Sequence, residues 1–220
     1  MLAELLPAPV HYRIADRWMW ETPATPREEA LIERAVEKRK REFRAGRHAA
    51  HALFKRLGID HPDLLKGAQR EPAWPAGWVG SISHTDGLCA VALVDTGHAQ
   101  GIGLDVELAT PLNPELRELI CRPEELAQIN ALRQQIGAGW PLEKLVFSAK
   151  ECIHKVYFPQ NFHTLDFLDA RIGLDWEQAT FDAFILNPEP SPRIPISRLK
   201  GKFLFHQDWI FTAIVQPVQQ

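Results

Sequence analysis

The sequence predicts an α+β fold, in which helices and antiparallel strands occupy separate stretches of the chain. Each half of the 220-residue chain contains a helical pattern followed by about three strand-like runs, and 45% of all residues are hydrophobic. The repeated order hints at a structural duplication, although no sequence repeat is visible. We therefore expect one chain built from two subdomains, residues 1–108 and 109–220, with a substantial core.

The first helical pattern spans residues 26–57, as one long helix or as two. Glutamates are concentrated at its N-terminal end, where the helix dipole stabilises negative charge. Apolar residues such as Phe43 recur at helical spacing. At 100° per residue, Arg39 and Arg47 lie on opposite borders of this apolar stripe. Two such arginines suit a shared anion, and guanidinium groups bind phosphate with paired hydrogen bonds. The alternative is that both arginines extend beside buried carboxylates at the edge of the core.

A loop and three strand-like runs complete the first half. Prolines and glycines at 67–77 forbid regular structure there. The runs that follow are rich in apolar residues and are separated by short turns that contain Asp and Gly: 78–83, 89–94 and 101–108. We expect these three runs to form an antiparallel meander.

The second half begins with helical patterns at 111–135 and 142–157, and Pro159 helps to end the latter. Strand-like stretches with β-branched and aromatic residues follow at 170–176, 180–186 and 202–215. Four prolines lie within 187–196, so that segment is expected to be a loop.

Composition argues against several classes of protein. The first ten residues lack the features of a secretory signal, and no apolar run approaches the roughly 20 residues of a membrane span. Three widely spaced cysteines argue against a zinc site or a disulfide framework and agree with a reducing compartment. The net charge of −3 gives no global indication of nucleic-acid binding. We expect a cytoplasmic protein without a transmembrane segment or a nucleic-acid partner.

Two carboxylates lie on one face of the run 101–108. Side chains alternate along a strand, so Asp105 and Glu107 point the same way. An isolated pair of this kind most often belongs to a solvated face. However, like charges on one strand face repel each other, and a cation between them would remove the repulsion. Ligands that are all oxygen select a hard ion such as Mg²⁺, which also binds substrate phosphates.

The helical pattern 142–157 carries Lys150, Glu151 and Lys155 beside its apolar stripe. Taken alone, Glu151 and Lys155 fit a surface ion pair at i and i+4. Taken with the Asp105 strand, a third carboxylate beside two lysines fits a metal-bound diphosphate, because carboxylates hold the ion and ammonium groups offset phosphate charge.

Ser83 and His84 end the first strand-like run at a turn, where a hydroxyl and an imidazole can meet one ligand. A histidine in such a position is more often structural. Adjacent strand residues point to opposite faces, which argues against a nucleophile and base pair of the hydrolase type. The glycine-rich phosphate loop and the dinucleotide fingerprint are both absent from the sequence.

Five segments, taken in order, resemble the 4'-phosphopantetheinyl transferases, and most closely the branch of the enterobactin-synthase component D and surfactin-synthetase-activating types. The segments are Arg39–Arg47, Arg70–Pro75, Gly80–His84, Gly103–Glu107 and Phe147–Lys155. The resemblance implies two similar halves related by a pseudo-twofold axis, with the active site at their interface. It also implies transfer of phosphopantetheine from coenzyme A to a serine of an apo carrier protein, with Mg²⁺ or alternatively Mn²⁺, and release of adenosine 3',5'-bisphosphate.

The resemblance also implies roles for individual residues. Asp105, Glu107 and Glu151 would hold the metal, and Glu151 would also act as general base for the incoming serine. Lys150 and Lys155 would face the diphosphate. The adenosine-bisphosphate end would bind Arg39, Arg47, Arg70, Ser83 and His84. At position 51 the family pattern leads us to expect an arginine, and this chain has His51 instead. We also expect the protein to be a monomer.

Two other functions remain open on the sequence alone. The first is a non-enzymatic binding protein whose basic helix docks nucleic acid or an acidic protein. The second is a Mg²⁺-dependent hydrolase of a diphosphate that resembles coenzyme A, which would act without a carrier protein.

Overall fold

The computed structural model describes residues 2–61 and 63–218, and it confirms the α+β class. The helices are α1 (Leu2–Leu5), α2 (Arg17–Glu21), α3 (Pro26–Glu29), α4 (Glu37–Leu57), α5 (Arg117–Ile120), α6 (Pro123–Ile136) and α7 (Leu142–Asn161). The strands are β1 (His11–Ile14), β2 (Trp78–Thr85), β3 (Leu88–Asp95), β4 (Ala99–Leu108), β5 (Ala170–Asp175), β6 (Thr180–Ile185), β7 (Arg198–His206) and β8 (Trp209–Pro217).

The strands form two antiparallel sheets, in the orders β1-β3-β2 and β4-β8-β7-β6-β5. The predicted meander is therefore wrong at its third strand, because β4 pairs with β8 and not with β3. The register places Asp105 of β4 opposite Thr212 of β8. The division of the chain at residue 108 stays a prediction, and the second sheet already includes β4.

Serine side chains join the two sheets where the edge strands β2 and β4 meet. The Ser81 hydroxyl accepts a hydrogen bond from the Leu104 N–H at 2.9 Å, and the Ser83 hydroxyl accepts one from the Val106 N–H at 3.1 Å. These two hydroxyls satisfy amides that a neighbouring strand would otherwise bind through its backbone. The junction between the sheets is consequently built from side chains, and it lies directly beside Asp105.

The structure decides one open alternative and changes other boundaries, since Pro159 lies inside α7 and does not end it. The pattern at 26–57 forms two helices, because α3 ends in a 3₁₀ turn at Ala30–Ile32 before α4 begins. The stretch 202–215 folds as the hairpin β7–β8, which turns at Gln207 with a φ of 52°. Strand β1 has no counterpart among the predicted elements, since four residues carry too little pattern to recognise.

Helices pack on one face of each sheet. Ala49, Leu53 and Phe54 of α4 are buried against Val91 and Leu93 of β3. Correspondingly, α7 packs on the five-stranded sheet through apolar side chains that include Val146, Ala149 and Ile153. Within residues 2–61 and 63–218, we find no helix with the length and apolar character that a bilayer crossing requires.

Candidate active site

Strand β4 approaches helix α7 closely at Gly103. A β-carbon at this position would lie 2.3 Å from the carbonyl oxygen of Cys152. Only glycine allows the backbone of the strand to come this near to the helix. The side chains that share the face of Gly103 therefore point at α7, so that Asp105 and Glu107 meet the helix turn that carries Glu151. The expectation of a solvated face does not apply, since Asp105 is only 3% exposed.

Asp105 is held by three side chains. Its Oδ1 accepts hydrogen bonds from the Ser83 hydroxyl at 2.9 Å and from Lys155 Nζ at 2.7 Å. Its Oδ2 accepts one from the Ser148 hydroxyl at 2.7 Å. This set of donors fixes the orientation of the carboxylate and leaves it little freedom to rotate.

Glu107 and Glu151 have far fewer partners than Asp105. Burial raises the pKa of Glu107, Asp105 raises it further, and Lys144 Nζ opposes this shift from 3.4 Å. Burial also raises the pKa of Glu151, which Lys155 lowers and the charges of Asp105 and Glu107 raise. Among the residues that the structure describes, none makes a hydrogen bond or an ion pair within 4 Å with Glu151. Negative charge is thus concentrated here without full compensation.

The two lysines of α7 have different environments. Lys155 Nζ donates to Asp105 and, at 2.9 Å, to the carbonyl oxygen of Leu104, so it lies within the carboxylate group. Burial lowers the Lys155 pKa, but the charge and hydrogen bond of Asp105, together with Cys152 and Glu151, raise it overall. Lys150 is buried and donates elsewhere, to Glu125 and to two backbone carbonyls. The structure therefore brings Lys155 to the site and turns the Lys150 ammonium away from it.

Arg39 and His84 contact each other, and their shared role at a ligand stays a prediction. Arg39 Nη1 lies 2.7 Å from His84 Nε2. A guanidinium can only donate, so Nε2 accepts and the ring proton resides on Nδ1, which lies 3.5 Å from the Glu42 carboxylate. Burial lowers the His84 pKa, and although Glu42 opposes the shift, Arg39 adds to it. His84 is consequently neutral in this arrangement.

Arg47 is buried with an unsatisfied donor. It is 5% exposed, its guanidinium stacks over the Phe43 ring at 4.1 Å, and its Nε has no hydrogen-bond partner among the described residues. Glu28 Oε1 lies 3.9 Å from that Nε. Burial lowers the Arg47 pKa to about 10, and Arg39 adds to the shift against the opposing charge of Glu28. Of the two predicted roles, the carboxylate neighbour is present, and one N–H also remains for an anion.

Lys66 joins these cations, although no sequence pattern marked it. Burial lowers the Lys66 pKa, and Arg70, Arg39 and Arg47 lower it further, in that order. Arg70 lies in the loop before β2 with a φ of 72°, in the left-handed region. We call Arg39, Arg47, Lys66 and Arg70 the cationic cluster. Four mutually repelling cations with few carboxylate partners favour a multiply charged anion.

A cavity of about 770 Å³ runs along the junction of the two sheets. Its lining includes Arg39 and Arg70 at one end, Trp74 beside them, and Lys155 on the α7 side. A second cavity of about 290 Å³ lies next to Glu151. His154 borders both. The two cavities therefore meet the α7 turn that carries His154, with Arg39 and Arg70 lining the larger cavity and Glu151 lining the smaller one.

Ser83 has a different place from the predicted one. Its hydroxyl donates to Asp105 and accepts from Val106, so it supports the carboxylate instead of extending toward the cationic cluster. Ser148 is a second support of Asp105 that sequence reasoning missed. The available signal was its position two residues before Lys150 in a helix that already carried a candidate site.

The carboxylates do not form a closed metal site by themselves. Within the described ranges, no three His, Cys, Asp or Glu side chains converge as metal ligands do. The donor set still fits a hard cation that retains other oxygen ligands, because Glu107 and Glu151 are underbonded and all of their donor atoms are oxygen. Any such ion needs additional oxygens from a substrate or from water.

Comparisons with known proteins identify the family of the chain. Residues 27–94 match the N-terminal domain of 4'-phosphopantetheinyl transferases, and residues 101–208 match the 4'-phosphopantetheinyl transferase superfamily. The chain belongs to the 4'-phosphopantetheinyl transferase superfamily and is a transferase of that type.

Individual relatives cover most of the chain. The 4'-phosphopantetheinyl transferase Svp of Streptomyces mobaraensis is 34% identical over 86% of this chain and 78% of its own length. The 4'-phosphopantetheinyl transferase Npt of Nocardia iowensis is 30% identical over 97% of this chain and 99% of its own. Enterobactin synthase component D of Escherichia coli (strain K12) is 34% identical over 68% of each chain.

Proposed function

We propose that this transferase uses Mg²⁺ to move the 4'-phosphopantetheine group of coenzyme A to a serine hydroxyl of an apo carrier protein. The observation that carries the proposal is one cavity that is lined by arginines and also by Lys155, whose ammonium binds Asp105 of the carboxylate group. Arg39 and Arg70 of the cationic cluster line the 770 Å³ cavity. Lys155 also lines it, binds Asp105 and interacts with the charges of Glu107 and Glu151. Coenzyme A carries a phosphate and a diphosphate, which match these two regions.

The adenosine-bisphosphate end of coenzyme A is assigned to the cationic cluster. Arg39, Arg47 and Arg70 keep the role that the resemblance implies, and Lys66 joins them. His84 remains with this group, because it contacts Arg39 directly. A phosphate there would accept the unsatisfied Nε–H of Arg47 and relieve the repulsion among the cations.

The diphosphate is assigned to the carboxylate side. Asp105, Glu107 and Glu151 would hold Mg²⁺, with Mn²⁺ as an alternative ion. When bound, the metal supplies charge neutralisation for the phosphate oxygens and for the developing leaving group. Lys155 would also neutralise phosphate charge, since Asp105 holds its ammonium at the edge of the 770 Å³ cavity. Ser83 and Ser148 keep the Asp105 carboxylate in a fixed orientation.

The chemical step is a direct displacement. The carrier serine oxygen forms a bond to the β-phosphorus, the bond from that phosphorus to the bridging oxygen breaks, and adenosine 3',5'-bisphosphate leaves with the bond's electron pair. Glu151 accepts the serine proton, directly or through water, and its raised pKa suits a base. Catalysis then rests on positioning and charge neutralisation.

The cysteines are poor candidates for a covalent intermediate. All three are buried. Burial raises the pKa of Cys89 and of Cys121 to about 12, and it also raises the pKa of Cys152. Thiols with such pKa values are weak nucleophiles near neutral pH. Direct transfer from coenzyme A to the carrier serine needs none of them.

The test is a transfer assay by intact-protein mass spectrometry. The chain is incubated with coenzyme A, Mg²⁺ and apo carrier proteins, and each modified carrier should gain the mass of one phosphopantetheine. Formation of adenosine 3',5'-bisphosphate without any carrier would instead support the hydrolase. No mass gain on any member of a broad carrier panel would contradict the proposal.

The carrier panel should start with siderophore and non-ribosomal peptide systems. Several relatives are named enterobactin synthase component D, and they share 33 to 35% identity with this chain over 56 to 68% of it. Carriers from polyketide and fatty acid synthesis complete the panel. Gel filtration of the purified chain would test the expected monomer.

A further inference from the structure

Lys150 is the buried ammonium of α7, and its hydrogen bonds are complete. Its Nζ donates to the carbonyl oxygen of Ile120 at 2.7 Å, to Glu125 Oε2 at 2.8 Å and to the carbonyl oxygen of Phe167 at 2.9 Å. An ammonium group has three N–H donors, so all of them are used. The side chains of Lys150 and Glu125 are 2% and 1% exposed. No donor remains for a substrate unless one of these bonds breaks.

Glu125 is equally well satisfied. Its Oε1 accepts the Ile172 N–H at 2.6 Å, and its Oε2 accepts the Arg122 N–H at 2.7 Å in addition to Lys150. The Lys150–Glu125 pair therefore ties α7 to four other parts of the second half: the end of α5, the start of α6, the 3₁₀ turn Phe167–Asp169 and β5.

Several of these parts surround the 290 Å³ cavity beside Glu151. The cavity is lined by Glu151 and His154 on the α7 side and by Leu165, Phe167 and Ala170 on the opposite side. The Lys150 side chain also borders it. Because Lys150 binds the Phe167 carbonyl while Glu125 binds β5, the pair fixes the distance between the two sides of the cavity.

We propose that Lys150 is a positioning residue and not a catalytic one. Together with Glu125 it holds the wall opposite Glu151 at the distance that the transfer reaction requires, and its ammonium does not contact the diphosphate. This inference rests on the proposed function, and it reverses the role that the sequence resemblance implied for Lys150.

Breaking the pair from either side should have the same consequence. Removal of one partner leaves the charge of the other buried and uncompensated. Replacement of both partners leaves no buried charge. A catalytic ammonium behaves differently, because its loss cannot be repaired by a change at Glu125. The Lys150–Glu125 pair is thus suited to a double-mutant cycle.

The experiment compares Lys150→Met, Glu125→Gln and the double variant, with coenzyme A binding measured by calorimetry and transfer measured by mass spectrometry. Each single variant should lose about 10²-fold in kcat, the usual scale of a small misplacement. The affinity for coenzyme A should stay within about twofold of wild type, and the double variant should recover to within about tenfold of the wild-type kcat.

A matched control accounts for lost stability. Ile129→Ala removes a buried apolar side chain from α6 and leaves both Lys150 and Glu125 unchanged. It should destabilise the protein to a similar extent while kcat stays near wild type. If Lys150→Met does not fold, the double variant decides, because it lacks the ammonium and should still transfer.

Two outcomes would overturn the assignment. One is that Glu125→Gln keeps wild-type turnover while Lys150→Met binds coenzyme A poorly. The other is a folded double variant as inactive as Lys150→Met. The coupling between the two residues can also be measured by urea unfolding, which requires no transfer activity. A strong coupling in a chain without transferase activity would show that the pair exists and that the proposed function had failed.

Discussion

Carboxylates in two regions of the molecule, helix α3 and the contact between β4 and α7, have opposite properties. Glu28, at the start of the first half, has no exposed surface and accepts hydrogen bonds from the N–H groups of Thr25 and Leu64 and from the His51 ring. Burial opposes the effect of these bonds, yet the Glu28 pKa is lowered to about 2. The pKa values of Glu107 and Glu151 are raised, because these side chains are half-buried with few donors and lie near other carboxylates. The structural carboxylate Glu28 is satisfied by the chain itself, whereas Glu107 and Glu151 of the site are left for a ligand.

The largest expected effect is at Glu151. Glu151→Ala should lower transfer by at least about 10³-fold, because it removes both a metal ligand and the base. Its free energy of unfolding should stay close to wild type, since the side chain makes no hydrogen bond within the described part of the chain. Transfer assays and urea unfolding measure the two quantities. Glu177→Ala, on an exposed turn, is the control, and full activity of Glu151→Ala would refute the site.

Glu28 should make stability depend on pH. Its folded pKa of about 2 lies below the ordinary 4.5, so its contribution of about 3 kcal/mol is present above pH 4.5 and is lost as the pH falls toward 2. Glu28→Gln should therefore be less stable than wild type at pH 6, and the difference should shrink by pH 3. The titratable and charged groups that face Glu28 are His51 and Arg47.

Urea unfolding at both pH values tests this, with exposed Glu33→Gln as the control. A constant difference between wild type and Glu28→Gln across that range would contradict the assigned pKa.

Gly103 tests whether the unsatisfied carboxylates must lie close together. Gly103→Ala places a methyl group 2.3 Å from the Cys152 carbonyl oxygen, so β4 must move away from α7. We expect kcat to fall about 10²-fold, because Asp105 and Glu151 separate. Gly139→Ala is the matched control, since a β-carbon at that position would have no described atom within 4 Å outside its chain neighbours. Wild-type turnover in a folded Gly103→Ala protein would show that the close approach is dispensable.

The smallest effect is expected at the cationic end. Arg47→Met should weaken coenzyme A binding about tenfold, the value of one lost charged hydrogen bond, with kcat nearly unchanged. Isothermal calorimetry at two salt concentrations measures this. Arg41→Met provides the control, because Arg41 is exposed and pairs with Glu21 on another face of α4. An affinity equal to wild type would remove Arg47 from the anion site.

Local pattern was sufficient for much of the fold and for part of the site. Strand alternation placed Asp105 and Glu107 on one face, and that face does meet Glu151. The helical periodicity of α4 placed Arg39 and Arg47 at the core edge, and Arg47 is more deeply buried than a border position implies. These features depend on neighbours within a few residues, which sequence spacing describes well.

The remaining features depend on distant contacts. The β4–β8 pairing joins residues about 100 positions apart, which no local pattern encodes. Lys150 shows the same limit within a single side chain. Helical spacing placed Lys150 at the border of the apolar stripe. The position of its ammonium is set by three distant acceptors, which belong to Ile120, Glu125 and Phe167. Lys66 was missed because only folding brings its loop to the arginines.

The serine contacts between β2 and β4 have a consequence for the integrity of the chain. Each sheet ends at this junction in a strand edge, and an exposed edge is a template for intermolecular pairing. Here the two edges shield one another through hydroxyl groups without fusing into a single ladder. Cleavage between β3 and β4 would therefore release two fragments with unprotected edges, so the same contact that builds the catalytic cleft also protects the enzyme against aggregation.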